Sequence, residues 1–542
     1  MLGALNGSTI LRLRVFDREG SDLDPLALRG RLENVLSDVS LEPRLPPSAT
    51  LFIRKLDDPL PGSIQLDSPH ARAPHAWRHA FQRRFDQLVS SAARPAHGYV
   101  ADSAESVVFY DYAELLACLT ADWCSGCAMT RWWWQALIKR GDLSWLIRQF
   151  WRERVEYVPA ALEHVVRKGV LVEFVSRLSD VEVREIVQRV IQTFELTRIA
   201  RIKATDFFSV AETREVPHVI DTRTVMPWRH VAPESDTPLL RPAQQFFVGI
   251  VLMVHRAPAR VRTLSFAREV EHWIQSVASA VSAVSVPPDQ PSIIEEQHIE
   301  IEEFFTPPEA QAPIRVNPIP SPPFIPQPAP PPKGSVSSAV KLANAIFKYE
   351  EPDAIVIEQT PASVIQTETT PPPEPIIIPA TTPETLDPAT IETGLGGLFY
   401  LINLAIFLEI YSDFTSPVEQ FHDDLSIWDF VTIVGKEIDQ ETDDPIWELL
   451  KKLADREDEL TTPTWLTDLL PHIRARLHLA LGIDDDLPQI LLHHHAKVTI
   501  TPTHLDVFFP LADHPIEIRL SGLDRNPGWV PAAGRFIAFH YD

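Results

Sequence analysis

The chain has 542 residues, a mass of 61.1 kDa and a formal net charge of −25 at pH 7. Single cores stop growing near roughly 250 to 300 residues, so this length predicts two or three domains rather than one. Three cysteines, an odd number, exclude a disulfide framework and indicate a reducing compartment. The 50 prolines against 19 glycines are unusual for a globular chain, so some of the proline must lie outside packed structure.

The acidic charge lies in the back of the chain. Residues 1–286 carry a net charge of +2, residues 287–390 carry −11 and residues 391–542 carry −16. An acidic surface repels phosphate, so we expect no nucleic-acid binding there. The N-terminus has no basic region ahead of a long apolar run, which predicts that no signal peptide is present and that the protein is cytoplasmic.

The first segments predict a small α+β cap. Two strand-like runs, 9–16 and 50–56, flank a helical pattern at 26–39. Residues 76–93 predict an amphipathic helix, because apolar side chains recur there at spacings of three or four. Its apolar face consists of Trp77, Phe81, Phe85, Leu88 and Ala92.

The rest of the first predicted domain, residues 1–286, is mostly helical. Ser179 followed three residues later by Glu182 is typical of a capped helix start. Residues 246–254 (FFVGIVLMV) form an apolar run of strand length, and residues 266–284 predict another amphipathic helix.

Residues 287–390 predict an acidic, disordered linker. The segment holds 24 of the 50 prolines. Proline removes a backbone donor and fixes its own dihedral, so neither a sheet nor a long helix is expected. A helical island at 336–349 interrupts the segment, and it either folds on a partner or is a transient helix that has none.

Residues 391–542 predict an acidic helical domain with a small β tail. The uncharged run 394–408 is shorter than the roughly 20 residues that span a bilayer, so we expect a buried helix and no stable membrane insertion. Further helices are predicted at 427–438, 445–453 and 466–481, and strands at 497–500, 505–511, 516–520 and 536–541. The predicted fold class is therefore mainly α with small antiparallel β elements at both ends, that is, α+β.

The motif Trp123-Cys124-Ser125-Gly126-Cys127 is the sharpest local signal for chemistry. In a thioredoxin loop of this spacing the first cysteine lies at a helix N-terminus and has a lowered pKa. The context differs here, because a helical pattern and not a strand precedes the motif. Three interpretations stay open: redox catalysis by Cys124 and Cys127, buried structural cysteines, and metal binding, for which a second pair is missing.

The tract His493-His494-His495 suggests a metal site, but adjacent histidines on a strand point to opposite faces. At most two of them could share an ion, and a solvated loop is the competing interpretation. No HExxH, Walker A, GxGxxG or GxSxG pattern occurs. The sequence therefore predicts no metal, no cofactor and no catalytic residue.

Six of the 13 tryptophans lie between residues 123 and 151. On a helix, the consecutive Trp132, Trp133 and Trp134 spread over about 200°, which is wider than one core face. We expect either that at least one is an exposed interface anchor or that all three are buried between two helical layers.

The segment GLDRNPGWVPAAGR at 522–535 predicts a rigid loop, because its glycines and prolines set the turns. Trp529 is its only aromatic residue. In one interpretation Trp529 packs on the adjacent sheet while Arg525 and Arg535 pair with carboxylates. In the other, these three side chains form a docking surface for a partner.

Five segments resemble the contractile injection system tape measure proteins, which accompany phage-tail-like injection particles of bacteria. They are ILRLRVF, LFIRKLDDPLPGSIQLD, WRHAFQRRFDQLV, GLGGLFYLINLAIFLEI and the closing IRLSGLDRNPGWVPAAGRFIAFHYD, which is the most specific. The resemblance lies at the two ends of the chain. It implies a structural or assembly role in the particle, with tube, baseplate or assembly-ATPase proteins as partners and no catalytic residues.

The sequence thus predicts a non-catalytic component of a contractile injection system, either cytoplasmic or incorporated into the particle. A length gauge should be one long helix or coiled coil, whereas the patterns predict short helices, strands and a disordered interruption. An accessory assembly factor fits these patterns equally well. The alternative function is a thiol-disulfide oxidoreductase that uses Cys124 and Cys127, and the oligomeric state is left open.

Overall fold

The computed structural model describes residues 30–36, 45–138, 142–202, 226–231, 240–283, 388–411, 425–439, 443–456, 460–483 and 486–542, apart from breaks at 33, 62–63, 65–71 and 136. We call residues 30–283 the N-terminal part and residues 388–542 the C-terminal part. The described residues of both parts belong to one compact unit. The predicted strand at 9–16, most of the helical pattern at 26–39 and the predicted linker with its island lie outside the described residues, apart from 388–390.

The N-terminal part is mainly helical. In chain order its elements are β1 (Thr50–Ile53), α1 (His75–Ser90), β2 (Ser106–Phe109), α2 (Tyr112–Cys124), α3 (Trp132–Gln135), α4 (Leu143–Glu153), α5 (Val158–Arg167), α6 (Leu171–Ser176), α7 (Asp180–Thr193), α8 (Thr197–Ala200), α9 (Pro242–Arg256), α10 (Pro258–Val261) and α11 (Leu264–Ala283). β1 and β2 pair antiparallel, with Thr50 opposite Phe109.

Three helices predicted from local patterns are confirmed. The buried face of α1 consists of Trp77, Phe81, Phe85 and Leu88, and the helix ends at Ser90, so Ala92 lies beyond it and not on its face as predicted. Ser179 and Glu182 form the reciprocal capping box at the start of α7, in which each side chain accepts a hydrogen bond from the other residue's backbone N–H. The predicted helix at 266–284 is α11.

The apolar run at 246–254 lies within a helix, α9, and is not a strand. Every residue of α9 from Pro242 to Val254 is buried, so the helix has no polar face and the run shows no helical period. The packing is close: a Cβ on Gly249 would lie 2.0 Å from Cδ2 of the Trp228 ring. Glycine is therefore what allows the tryptophan to lie across the helix.

The C-terminal part combines helices with a five-stranded sheet. Its elements are β3 (Ala389–Thr393), α12 (Tyr400–Phe407), α13 (Ile427–Ile438), α14 (Ile446–Leu453), α15 (Thr464–Leu481), α16 (Leu487–Leu491), β4 (Ala496–Ile500), β5 (His504–Phe509), α17 (Ile516–Ser521), β6 (Gly528–Val530) and β7 (Arg535–Tyr541). The predicted helices at 427–438, 445–453 and 466–481 correspond to α13, α14 and α15.

The C-terminal sheet is mixed, which corrects the predicted antiparallel sheet. Its strand order is β3-β4-β5-β7-β6, and the central pair β5 and β7 is parallel. A parallel pair needs a crossover longer than a tight turn. The segment between these two strands supplies that crossover, and it contains α17 and β6. The predicted loop at 522–535 is therefore corrected, because it includes the strand Gly528–Val530 and ends where β7 begins.

Residues 516–520 form a helix, α17, and not the predicted strand. The alternation in IEIRL resembles a strand, but Pro515 precedes the segment and Gly522 ends it with φ of +76°. Both residues are helix boundary signals, and here they prevail over the five-residue alternation.

The apolar run 394–408 is buried from Leu395 to Ile402 and forms a 3-10 turn followed by α12, whereas Phe407 near its end is 67% exposed. Two glycines allow its backbone to approach α16 and the sheet. A Cβ on Gly397 would lie 1.8 Å from the carbonyl oxygen of Leu491, and one on Gly396 would lie 2.4 Å from the Cβ of Ala496. Among the described residues, no helix is long and apolar enough to cross a bilayer.

The structure confirms a mainly helical chain with small sheets. The division into domains at 1–286, 287–390 and 391–542 remains a prediction. Each part has its own large apolar core, and one side chain of the C-terminal part, Trp529, belongs to the core of the N-terminal part. The contact between the two parts therefore includes a side chain of the N-terminal core. We call this contact the seam.

Candidate functional site

Trp529 is the main apolar contact of the seam. Gly528, with φ of +72°, turns the chain so that Trp529 lies against the end of α7. The indole Nε1 donates to the carbonyl oxygen of Thr193 at 3.2 Å, and the ring meets Phe194 edge to face at a centroid distance of 5.2 Å. Phe536 covers the other side at 5.0 Å. Only 9% of Trp529 remains exposed, which agrees with the packing interpretation of this residue.

Arg262 fastens the same loop from the N-terminal side. Its Nη2 donates to the carbonyl oxygens of Phe194 and Pro531, each at 3.0 Å. One guanidinium thus satisfies a helix-end carbonyl of the N-terminal part and a loop carbonyl of the C-terminal part. The carbonyl oxygen of Pro531 also accepts from the Gly534 backbone N–H at 3.1 Å, so the Phe194 carbonyl is the one that depends on Arg262 among the described residues. Leaving that carbonyl without a donor would cost free energy.

A second polar contact crosses the seam at the start of α2. Asp111 is the N-cap of this helix, and its Oδ1 accepts from the Glu114 backbone N–H at 2.8 Å. Its Oδ2 accepts from Oγ1 of Thr503 at 2.8 Å. Burial raises the pKa of Asp111 to about 6, although both hydrogen bonds act to lower it. Asp111 followed by Glu114 is a helix-start pattern that the sequence analysis overlooked.

Stacked rings lie beside this contact. Tyr157 of the N-terminal part stacks on His504 and Phe536, at centroid distances of 6.0 and 5.6 Å. Burial lowers the pKa of His504 to about 4, so its imidazole is neutral at pH 7. The neutral ring behaves as one more flat aromatic surface in the stack.

A small cleft opens along the seam between these contacts. It encloses about 60 Å³ and is lined by residues of both parts, including Glu156, His255, Arg262, Thr503 and Arg535. The side chain of Arg535 donates from Nη1 to the carbonyl oxygen of Thr501. Burial lowers the pKa of Arg535 to about 10, while the charge of Asp111 opposes this shift. Arg535 therefore remains charged at pH 7 and lies at the seam rather than on an open surface.

Arg525 is placed differently from Trp529 and Arg535. Its side chain is exposed, and its carbonyl oxygen accepts from the Asn403 side chain at 2.6 Å. The three residues predicted as one set are therefore divided between the buried seam and the solvent. The interpretation of all three as a docking surface remains a prediction.

The two motif cysteines do not adopt the arrangement of a thioredoxin loop. Cys124 is the last residue of α2 rather than the first residue of a helix. Burial raises the pKa of Cys124 to about 11, and burial followed by the charge of Asp122 raises that of Cys127. The Cys127 Sγ donates to Asp122 Oδ1 at 3.3 Å. An attacking thiolate needs a lowered pKa, so the redox alternative gains no support from this geometry.

The three consecutive tryptophans are mostly buried. Trp133 and Trp134 are 1% and 0% exposed, and Trp132 is partly buried. Trp134 donates from Nε1 to Asp122 Oδ2 at 2.6 Å, whereas the Nε1 groups of Trp132 and Trp133 have no partner in the described part of the chain. This placement is close to burial of all three residues. Their role in an interaction stays a prediction.

The histidine tract is distributed over separate contacts. His493 Nε2 lies 2.5 Å from Asp439 Oδ2, His494 Nε2 lies 2.8 Å from the carbonyl oxygen of Ile490, and His495 is exposed. In the described ranges, no group of three or more His, Cys, Asp and Glu side chains could hold a metal ion.

Comparison with protein-family models, with curated proteins and with solved structures gives no match for this chain.

A first prediction concerns Thr503, which contacts Asp111 across the seam. Replacing Thr503 with the isosteric Val removes the donor to Asp111 Oδ2 and also the contact of the same hydroxyl with His504 Nδ1 at 2.9 Å. We expect a loss of about 1 to 3 kcal/mol in the free energy of unfolding at pH 7, measured by urea denaturation. The loss should be smaller at pH 5, because Asp111 is then largely protonated.

Thr390→Val is the matched control, since Thr390 is exposed on β3. Its effect should stay within about 0.5 kcal/mol. Equal losses for the two variants, or a Thr503→Val loss independent of pH, would contradict the assigned contact.

Proposed function

We propose that this chain is a non-catalytic structural or assembly component of a bacterial contractile injection system, acting in the cytoplasm or within the particle. The resemblance of the chain ends to tape measure proteins of such systems motivates the proposal. The observation that supports it most is the seam. The closing segment, which is the most specific of the five that carry the resemblance, contributes Trp529 to the core of the N-terminal part.

Joining the ends into one unit gives the chain a suitable form for assembly. A folded body holds both ends of residues 284–387, a segment rich in proline and acidic side chains. We propose that this segment binds tube, baseplate or assembly-ATPase proteins, while the two parts that flank it in the sequence stay joined in one unit. Binding two partners through one chain raises the effective concentration of each near the other.

An assembly role is favoured over a length gauge. The longest helix in the described residues is α11, with 20 residues, which spans about 30 Å. A gauge needs an extended element that scales with the particle, and the described residues form a compact unit instead.

The decisive experiment uses the bacterium that encodes the chain. Deleting the gene should lower the yield of intact particles at least about tenfold, counted by electron microscopy, and mass spectrometry of purified particles should show whether the chain is retained. Normal particles in the deletion strain would overturn the proposal.

A second strain separates the two roles within the same apparatus. Removing residues 291–330 shortens the proline-rich segment and leaves all described residues in place. An assembly component should then give particles of unchanged length. Particles that shorten in proportion to the deletion would identify a length gauge.

A further inference from the structure

The cleft at the seam contains polar groups that the fold itself does not use. Arg535 lines the cleft, and its guanidinium makes one side-chain hydrogen bond, from Nη1 to the carbonyl oxygen of Thr501. The other N–H groups of this side chain have no partner among the residues the structure describes. A guanidinium carries five donors, so most of the hydrogen-bonding capacity of Arg535 remains available.

The carboxylate of Asp111 acts on Arg535 through its charge but is not joined to it by an ion pair. Asp111 interacts with the arginine through its charge, but its two oxygens accept hydrogen bonds from Glu114 and Thr503. No ion pair within 4.0 Å joins Arg535 to a carboxylate in the described part of the chain. A partly buried cation without a close counter-charge loses part of its hydration, and an anion from solution would offset that loss.

His255 adds a second donor to the same cleft. It lies at the end of α9 and lines the cleft, and its ring nitrogens have no hydrogen-bond partner within the described ranges. Burial lowers the pKa of His255 to about 4, with the charge of Glu163 opposing the shift and the charge of Arg535 assisting it. The neutral imidazole still offers one N–H donor.

The space suits a small polyatomic ion. The cleft encloses about 60 Å³, and roughly 10 to 15 Å³ of such volume is enough for one water molecule. About four or five non-hydrogen atoms can therefore be accommodated, which is the size of a carboxylate or phosphate group. Planar or tetrahedral oxyanions are the ligands that arginine recognises best, through paired N–H donors.

We propose that the cleft binds a small oxyanion, a carboxylate or a phosphate, between Arg535 and His255, and that the bound ion stabilises the seam. The two donors come from different parts of the chain, so the ion would join them as a further polar contact beside those of Trp529, Arg262 and Asp111. This inference does not depend on the proposed function.

Glu156 gives the proposal a directional test. Its carboxylate also lines the cleft, with a loose ion pair to Arg154 at 3.6 Å. A negative charge at this position opposes anion binding. Glu156→Gln should therefore strengthen binding, an outcome that mere damage to the fold would not produce.

The experiment is isothermal titration calorimetry of the full chain at pH 7, with inorganic phosphate in one series and acetate in another, at constant ionic strength. We expect saturable binding of one ion per chain with a Kd of about 1 mM or tighter for at least one probe. The stronger probe identifies phosphate or carboxylate as the preferred group.

Four variants complete the test. Arg535→Gln and His255→Gln should weaken binding, the former by about tenfold or more, and Glu156→Gln should tighten it by about threefold or more. Arg260→Gln is the control, because Arg260 is exposed and does not line the cleft, and it should leave the Kd unchanged. If circular dichroism shows that Arg535→Gln does not fold, the His255 and Glu156 variants decide. No saturable binding of either probe, or equal affinities for the wild type and Glu156→Gln, would overturn the proposal.

Discussion

Trp529→Ala should lower the free energy of unfolding by about 3 to 5 kcal/mol, the range typical of large aromatic side chains deleted from a core. The indole is 9% exposed, lies between the rings of Phe194 and Phe536, and donates to the carbonyl oxygen of Thr193. Alanine would leave a cavity where the two parts meet and would also leave that carbonyl without its donor. Urea denaturation, followed by far-ultraviolet circular dichroism, measures the loss.

Two further variants show which part of the indole matters. Trp529→Phe retains most of the ring packing and removes the N–H donor, so its cost should be near 1 kcal/mol. Trp145→Ala is the matched control, because Trp145 is 54% exposed, and it should cost well under 1 kcal/mol. A Trp529→Ala protein as stable as the control would show that this side chain does not hold the seam. The docking interpretation of the loop would then be the one to pursue.

Local signals in the sequence were sufficient for several helices. The Ser179 and Glu182 box, the Ser426 cap of α13 and the Gly482 end of α15 each depend on residues within a few positions of one another. A cap satisfies backbone groups that its own helix exposes, so its pattern can be identified without knowledge of the fold. These elements were predicted with nearly correct boundaries.

The candidate site depends on contacts that no local pattern contains. Thr503 and Asp111 are 392 positions apart, and Trp529 and Thr193 are 336 apart. The sequence identified Trp529 and Arg535 as unusual because of their loop, but the groups that receive them come from the other end of the chain. Long-range pairing also decided the sheet, where parallel β5 and β7 replaced the expected antiparallel neighbours.

Acidification from pH 7 to pH 5 should destabilise the protein strongly. Burial lowers the pKa of four histidines, that of His164 to about 3, those of His255 and His504 to about 4, and that of His230 in the same direction. In the unfolded chain a histidine becomes protonated near pH 6.5. In the folded chain His164, His255 and His504 become protonated only near pH 3 to 4. Stability contributed by these neutral rings is present above pH 6.5 and is lost as the pH falls toward 4.

Two carboxyl groups act in the opposite direction. Burial raises the pKa of Asp111 to about 6 and also raises that of Glu156, so the folded state takes up these protons before the unfolded chain does. Four histidines oppose these two acids, and Glu163 acts with the histidines because its ion pairs with Arg256 and Arg167 lower its pKa despite burial. The unfolded state therefore binds more protons than the folded state near pH 5. The free energy of unfolding should therefore fall by roughly 1 to 3 kcal/mol per pH unit in this range.

Urea denaturation at half-unit intervals from pH 7 to pH 5 measures this slope, and single variants assign it. His504→Asn removes one buried imidazole, so it should reduce the slope near pH 5 by about 1.4 kcal/mol per pH unit, the value for one proton. His472→Gln is the control, because His472 lies exposed on α15, and the slope should stay as in the wild type. A flat profile between pH 7 and pH 5 would mean that the buried histidines take up protons within the folded state. In that case the stack of Tyr157, His504 and Phe536 would have to tolerate an imidazolium at the seam.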